Sequence, residues 1–282
     1  MRKLKWILGV FVVVVAAWGA YMFFLKPKTV IGTQQTGDRP ALGAVDHAAF
    51  DQLLRDYVNA QGLVAYARWK ANHADMKKLD DYLEHLGNVD LQKDATREEK
   101  LAYWINAYNA LTLKGILNDY PIKSVKSPFT YVGGYNMWTD LEQWIGGERY
   151  SLDRIEHKTL RLLGEPRIHF GLVCGARSCP ILRNHAYTPD KVLDQLDDNA
   201  RRFFARDDAL YPTFEIEPDI RQITISPIFK WYGSDFAPTP IEVVRKLKPY
   251  FPAKADTGWL DEAGAVQVDF AGYDWTLNDQ AP

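Results

Sequence analysis

One stretch constrains this chain more than any other. Between Leu101 and Ile116 the apolar side chains Leu101, Trp104, Ile105, Tyr108, Leu111, Leu113 and Ile116 cover most of the circumference of a helix. A helix that is apolar all round must be enclosed by the rest of its domain. Thr96 followed by Glu99 reads as a capping box, which satisfies two orphan backbone donors and opens the helix; it should run to about Leu117. Ala102, Asn106, Asn109 and Leu113 then fall on one narrow strip. Two amides inside such a helix need partners, since each unpaired buried polar group costs about 1–3 kcal/mol. Asn106 and Asn109 are therefore expected to hold a neighbouring loop or to line a pocket.

The elements around that helix follow from periodicity and punctuation. Residues 46–60 carry Phe50, Leu53, Leu54, Tyr57 and Val58 at helical spacing, and Gly62 breaks them. Residues 69–86 read as one amphipathic helix stopped by Gly87. Gly133-Gly134 and Gly146-Gly147 mark turns among short strands or loops. A helix from Ser151 to Gly164 carries Glu156 and His157, with Pro166 just beyond it. Residues 167–174 alternate as a strand does. Thr188-Pro189 opens a helix bearing Leu193, Leu196, Phe203 and Phe204; residues 222–225 form a strand and residues 240–248 a helix. The sum is an α+β fold, a helix-rich domain packed on a small, mostly antiparallel sheet.

At the N-terminus, residues 7–25 are an uncharged apolar run flanked by Arg2, Lys3 and Lys5 on one side and Lys26 and Lys28 on the other. About 19 residues at ~1.5 Å rise suffice to span a bilayer. A cleaved signal is the alternative, with Ala16, Ala17, Gly19 and Ala20 near a cleavage site, but residues 21–25 continue the run. The expected organisation is an anchor or signal over 1–28, a linker over 29–43 and a globular domain over 44–282. The expected location is the inner membrane, single-pass, with the domain in the periplasm. Partners would be the membrane itself and an envelope protein, peptide or small molecule. A formal net charge of −2 with 25% charged residues gives no basic excess, which argues against nucleic acid.

The chemistry-bearing residues are few. Cys174 and Cys179 are the only cysteines, and a disulfide, a reactive thiol and inert packing are all compatible with their spacing. A reactive Cys174 could draw on nearby backbone N–H groups as an oxyanion site, and on Arg177 to favour the thiolate. It also needs a base. In a strand, His169 would sit about 17 Å away on the opposite face, so His157, from a separate helix, is the better partner, oriented by Glu156, Asn106 or Asn109. The same residues also read as a surface carboxylate and structural polar groups. His47, His73, His85 and His185 are scattered, and no metal-binding, P-loop or dinucleotide motif is present; no metal or cofactor is expected. Tyr131, Tyr135, Trp138, Trp144, Trp231 and Tyr232 admit a sugar- or peptide-stacking surface as well as plain packing.

Three separated motifs then resemble a known family. Leu101-Ala-Tyr-Trp-Ile-Asn-Ala-Tyr-Asn109, Leu152-Asp-Arg-Ile-Glu-His157 and Ile168-His-Phe-Gly-Leu-Val-Cys-Gly-Ala-Arg-Ser-Cys-Pro180 are similar to the domain of unknown function family 547. The likeness extends to Ser226-Pro-Ile-Phe-Lys-Trp-Tyr-Gly-Ser-Asp-Phe236 and Tyr273-Asp-Trp-Thr-Leu-Asn278, nearly everything after the spacer. It implies an exported or membrane-attached bacterial protein, with family positions at Asn106, Asn109, Glu156, His157, His169, Cys174 and Ser178. It also implies, since plant relatives carry serine where this chain has Cys179, that a disulfide is not intrinsic to the fold. By fold-level analogy the arrangement is similar to papain-like and transglutaminase-like thiol enzymes. The function expected is a cysteine-dependent hydrolase or acyltransferase acting on an envelope amide or ester. In it Cys174 is the nucleophile, His157 the base, and Glu156 or Asn106 the orienter, with Asn109, His169, Arg177 and Ser178 as binding residues. The alternative is a non-catalytic binding or scaffold domain.

Overall fold

The computed structural model describes Phe11, Val13, Val14 and residues 28–126, 135–206, 213–216, 221–252, 258–261 and 266–280. At its centre lies the helix that the sequence singles out, Arg97–Asp119, in which every residue from Leu101 to Leu117 is buried. Its capping box is formed: Glu99 N–H donates to Thr96 Oγ1 at 3.1 Å and Thr96 N–H to Glu99 Oε2 at 2.7 Å.

Three helices pack on one side: α1 (Ala48–Tyr57), α2 (Tyr66–Ala71) and α3 (His73–Gly87), before the central α4 (Arg97–Asp119). The single helix expected over 69–86 is two. Asn72, in extended backbone, accepts from Asp75 N–H and starts α3 afresh, because a short side-chain amide caps a helix better than it continues one. Just ahead of α1, His47 Nδ1 lies 2.7 Å from Tyr82 Oη. Burial pushes its imidazole down to about 4 from an ordinary 6.5. A base depressed by burial resists the proton that the unfolded chain takes up. Stability is therefore lost as pH falls from about 6.5 toward 4, by up to about 3 kcal/mol. Chemical denaturation across that window should show the loss in the wild type and much less of it in His47→Gln.

The single, mostly antiparallel sheet expected is corrected to two three-stranded sheets, each mixed. In the first, β1 (Thr29–Ile31) pairs parallel to β2 (Leu141–Ile145), which pairs antiparallel to β3 (Glu148–Ser151) through a turn at Gly146 and Gly147, both at positive φ. In the second, β4 (Thr213–Ile216) is antiparallel to β5 (Arg221–Ile225), and β6 (Val266–Phe270) joins β5 in parallel. Each sheet is a local hairpin plus one edge strand from a distant part of the chain. β1 comes from the segment read as a linker. Three β-branched residues, Thr-Val-Ile, suit an edge strand, but nothing local announces a partner at Leu141.

Among the described residues no helix is long and apolar enough to cross a membrane. The expected transmembrane helix, and with it the single-pass inner-membrane placement, are corrected accordingly; the run 7–25 lies outside the described residues apart from Phe11, Val13 and Val14. The long described helix, α4, is a core helix: it carries Asn106, Asn109 and Lys114, and protein surrounds it.

After β3 the chain forms α5 (Leu152–Ile155), which continues through a π-helical turn, Glu156–Leu160, and a 3-10 turn, Arg161–Leu163. Ser151 caps it, accepting from Arg154 N–H. Then come a 3-10 helix, Pro166–Phe170, and later α6 (Val192–Phe204) and α7 (Pro240–Leu247). Two cores result. The larger surrounds α4; the smaller gathers Phe170, Phe203, Phe204, Phe229 and Phe236 with Ile223 and Val244. Residues 166–174 run along the seam, Ile168 packing into the first core and Phe170 into the second. That explains why the strand expected over 167–174 is instead a 3-10 helix followed by a loop. Both faces of the segment are buried, so the apparent alternation reports two cores rather than one sheet face, while Pro166 at the first turn favours a helical start.

Candidate functional site

The seam opens into a cleft of about 420 Å³ lined by Tyr108, Glu156, His157, His169, Cys174 and Cys179, and by the aromatic residues Trp138, Trp231, Tyr232, Tyr273 and Trp275. Cys174 reaches it from a loop, not from a strand end. One asparagine of α4 holds that loop and a second holds the segment at Tyr187. Asn109 Nδ2 donates to Gly171 O at 2.9 Å while its Oδ1 accepts from Val173 N–H at 3.0 Å. Asn106 makes the same pair of bonds to Tyr187, at 2.8 and 2.9 Å. Each amide thus replaces a strand partner for an otherwise unpaired piece of buried backbone. With both ends of its amide used on Tyr187, Asn106 orients the loop system and not a histidine.

The far side of the cysteine loop is zipped to residues 274–278. Arg177 N–H donates to Thr276 O at 2.8 Å, Ser178 N–H to Asp274 O at 3.1 Å, and Asp274 N–H to Ser178 Oγ at 2.7 Å. Ser178 is fully buried in this clamp. Between them Gly175, at φ 83°, turns the chain where a Cβ would overlap Ile116; only glycine meets both demands cheaply. Arg177 points away, its guanidinium on Asp279 O, so it does not tune the thiol as expected.

Both cysteines are free thiols, which removes the disulfide reading for this state. Cys174 Sγ lies 3.6 Å from Tyr273 Oη, and Cys174 N–H donates to Cys179 Sγ at 2.9 Å. Hydrogen bonds from the Cys179 thiol, the Ala176 N–H and the Tyr273 hydroxyl hold the Cys174 thiol below its ordinary value, although burial opposes them. Cys179 moves the other way, raised by burial and by its neighbour. Of the two sulfurs, Cys174, which faces the cleft, is therefore the one that ionises more readily.

The direct Cys174–His157 pairing is not formed. Arg161 donates to His157 Nδ1 at 3.0 Å, and a guanidinium can only donate, so that lone pair is occupied; Nε2 lies 3.7 Å from Asp153. His169, set aside while its segment was read as a strand, enters the same cleft. Its Nε2 lies 2.8 Å from Asp235 Oδ2, its Nδ1 4.0 Å from Glu156 Oε1, and its ring stacks on Tyr232 at 4.1 Å. Asp235 is gripped in turn by Arg161 Nε and Nη2 at 2.7 and 2.5 Å. Glu156 accepts from Tyr108 Oη at 3.2 Å and from Tyr232, whose hydroxyl is raised by burial and by that carboxylate. A chain Arg161–Asp235–His169–Glu156 thus runs from partly exposed to buried, and its inner members, His169 and Glu156, line the cleft with the thiol.

Glu156 and His157 occupy the π-helical turn, whose wider winding rotates them relative to an α-helix. Such turns recur at functional sites. Sequence reasoning gave no chemical role to Tyr273, Asp235 or Tyr108, and read Tyr232 only as a ring for stacking or packing. Tyr108 lies one residue from Asn109, and the other three lie in the two C-terminal motifs of the family likeness, which is the signal that pointed to them. Trp144 is not among the lining residues, and Tyr131 lies outside the described residues. Among the described residues no cluster of three metal-ligating side chains occurs.

Comparison with known families gives one match. Residues 92–204 match the family described as "Protein of unknown function, DUF547". No curated protein and no solved structure matches the chain. The DUF547 match spans α4 with both asparagines, the π-helical turn and the cysteine loop. Tyr232, Asp235 and Tyr273 come from outside it, so the cleft as described joins residues of the DUF547 segment to residues of the C-terminal part.

Proposed function

We propose that this protein is a cysteine-dependent acyl hydrolase or acyltransferase with Cys174 as its nucleophile. The observation that carries the reading is a free sulfur opening onto a cleft, its thiolate favoured by three hydrogen-bond donors. Such a thiol attacks without first surrendering its proton to an adjacent imidazole. The thiolate bonds to the carbonyl carbon of an amide or ester. The intermediate collapses with cleavage of the C–N or C–O bond, and the leaving atom takes a proton from the His169–Glu156 pair. Water or a second acceptor then attacks the thioester, returns a proton to that pair and frees the Cys174 thiolate. Asp235 positions His169, Arg161 positions Asp235 and His157, and Asn109 and Ser178 hold the loop.

Alkylation with iodoacetamide at neutral pH, followed by intact mass and peptide mapping, tests the reading. The expected result is one fast adduct on Cys174, formed about tenfold or more faster than on glutathione, absent in Cys174→Ser and slowed in Tyr273→Phe. A thiol that reacts only after unfolding, or no faster than glutathione, overturns it and leaves the cleft as a binding surface.

A further inference from the structure

The aromatic wall of the cleft narrows what the site can accept. Tyr273 joins thiol and wall: its hydroxyl lies 3.6 Å from Cys174 Sγ, while its ring sits 4.4 Å from Trp275 and 5.0 Å from Trp231, centroid to centroid. A group bonded to Sγ is therefore within a few bonds of both indoles. Lys126 Nζ covers one face of Trp275 at 3.6 Å, a cation–π contact that closes that side. Trp231 lines the cleft and stays 45% exposed, so part of its ring is open to a ligand. Its plane is tilted 56° from Tyr273 and 29° from Trp275. Trp231, Trp275 and Tyr273 thus form one contiguous aromatic wall of the cleft, on which a planar π-system can stack.

The buried polar groups of the cleft each already have at least one partner. Glu156 is paired with Tyr108 and Tyr232, His169 with Asp235, and His157 with Arg161. A sugar ring would have to exchange these existing bonds for its own hydroxyls; an aromatic ring asks for no such exchange.

We infer, on the basis of the thiol reading above, that the acyl group this site accepts carries a planar aromatic ring seated on Trp231 beside Tyr273. Alkylation rates of Cys174 with N-phenyl and N-cyclohexyl iodoacetamide, each normalised to the rate with glutathione, test this. The phenyl-to-cyclohexyl ratio should be about tenfold in the wild type, fall to near one in Trp231→Ala and persist largely in Trp231→Phe, with folding of each variant checked by chemical denaturation. A wild-type ratio near one, or a ratio that Trp231→Ala does not change, overturns the aromatic assignment while leaving the nucleophile intact. Failure of every reagent, iodoacetamide included, to modify folded protein overturns the thiol reading itself.

Discussion

Asn109→Ala should lower the free energy of unfolding by about 2–6 kcal/mol, because two buried backbone groups lose their partners at about 1–3 kcal/mol each. Gly171 C=O and Val173 N–H are held by this one amide, and both ends of the span are inside the core, where water does not replace it. Alanine is the better helix former, so the loss reports the loop and not α4. Urea denaturation followed by tryptophan fluorescence measures it. Because the clamp sits immediately before Cys174, the variant should also lose the fast alkylation. A change under about 1 kcal/mol would mean that the loop is held by something else.

The second large effect belongs to Asp235→Asn. Its carboxylate joins His169, almost wholly buried, to Arg161. Hydrogen bonds from His169 and then Arg161 hold it well below the ordinary carboxylate value of 3.8, against the opposing effect of burial. The amide keeps the shape but turns a donor toward a cation or leaves Nε2 without a strong acceptor. A loss of about 2–4 kcal/mol is expected near neutral pH, somewhat less than for a fully enclosed pair since the carboxylate is partly exposed. The sign of the pH dependence follows from the depressed acid: its contribution is complete above the unfolded value and is lost as pH falls below about 4. Wild type and variant should therefore converge in stability on acidification. Stability curves that stay parallel down to pH 3 would show that the carboxylate is not ionised in this network.

The sequence carried much of this site as a set of residues without an arrangement. The wrap-around apolar helix, its capping box and the need of Asn106 and Asn109 for partners all followed from helical spacing and the cost of unpaired amides, and α4 shows each of them. Cys174, Glu156, His157 and His169 were legible as chemistry, and all four line one cleft. The pairings were not legible. Alternation over 167–174 suggested a strand because burial in two different cores mimics burial on one face, and that error placed His169 on the wrong side. Arg177 looked like the charge beside the thiol, yet the donors are Cys179, a backbone amide and Tyr273, the last of them 99 residues away.

Local patterning by itself determined which helix is central, where it begins and which polar residues it must bury, since those depend on a residue's own turn and neighbours. Tertiary structure alone decided which distant strand completes each sheet, which histidine meets which carboxylate and which sulfur faces the cleft. Those outcomes depend on contacts between segments tens to more than a hundred residues apart, for which no residue carries a local signature.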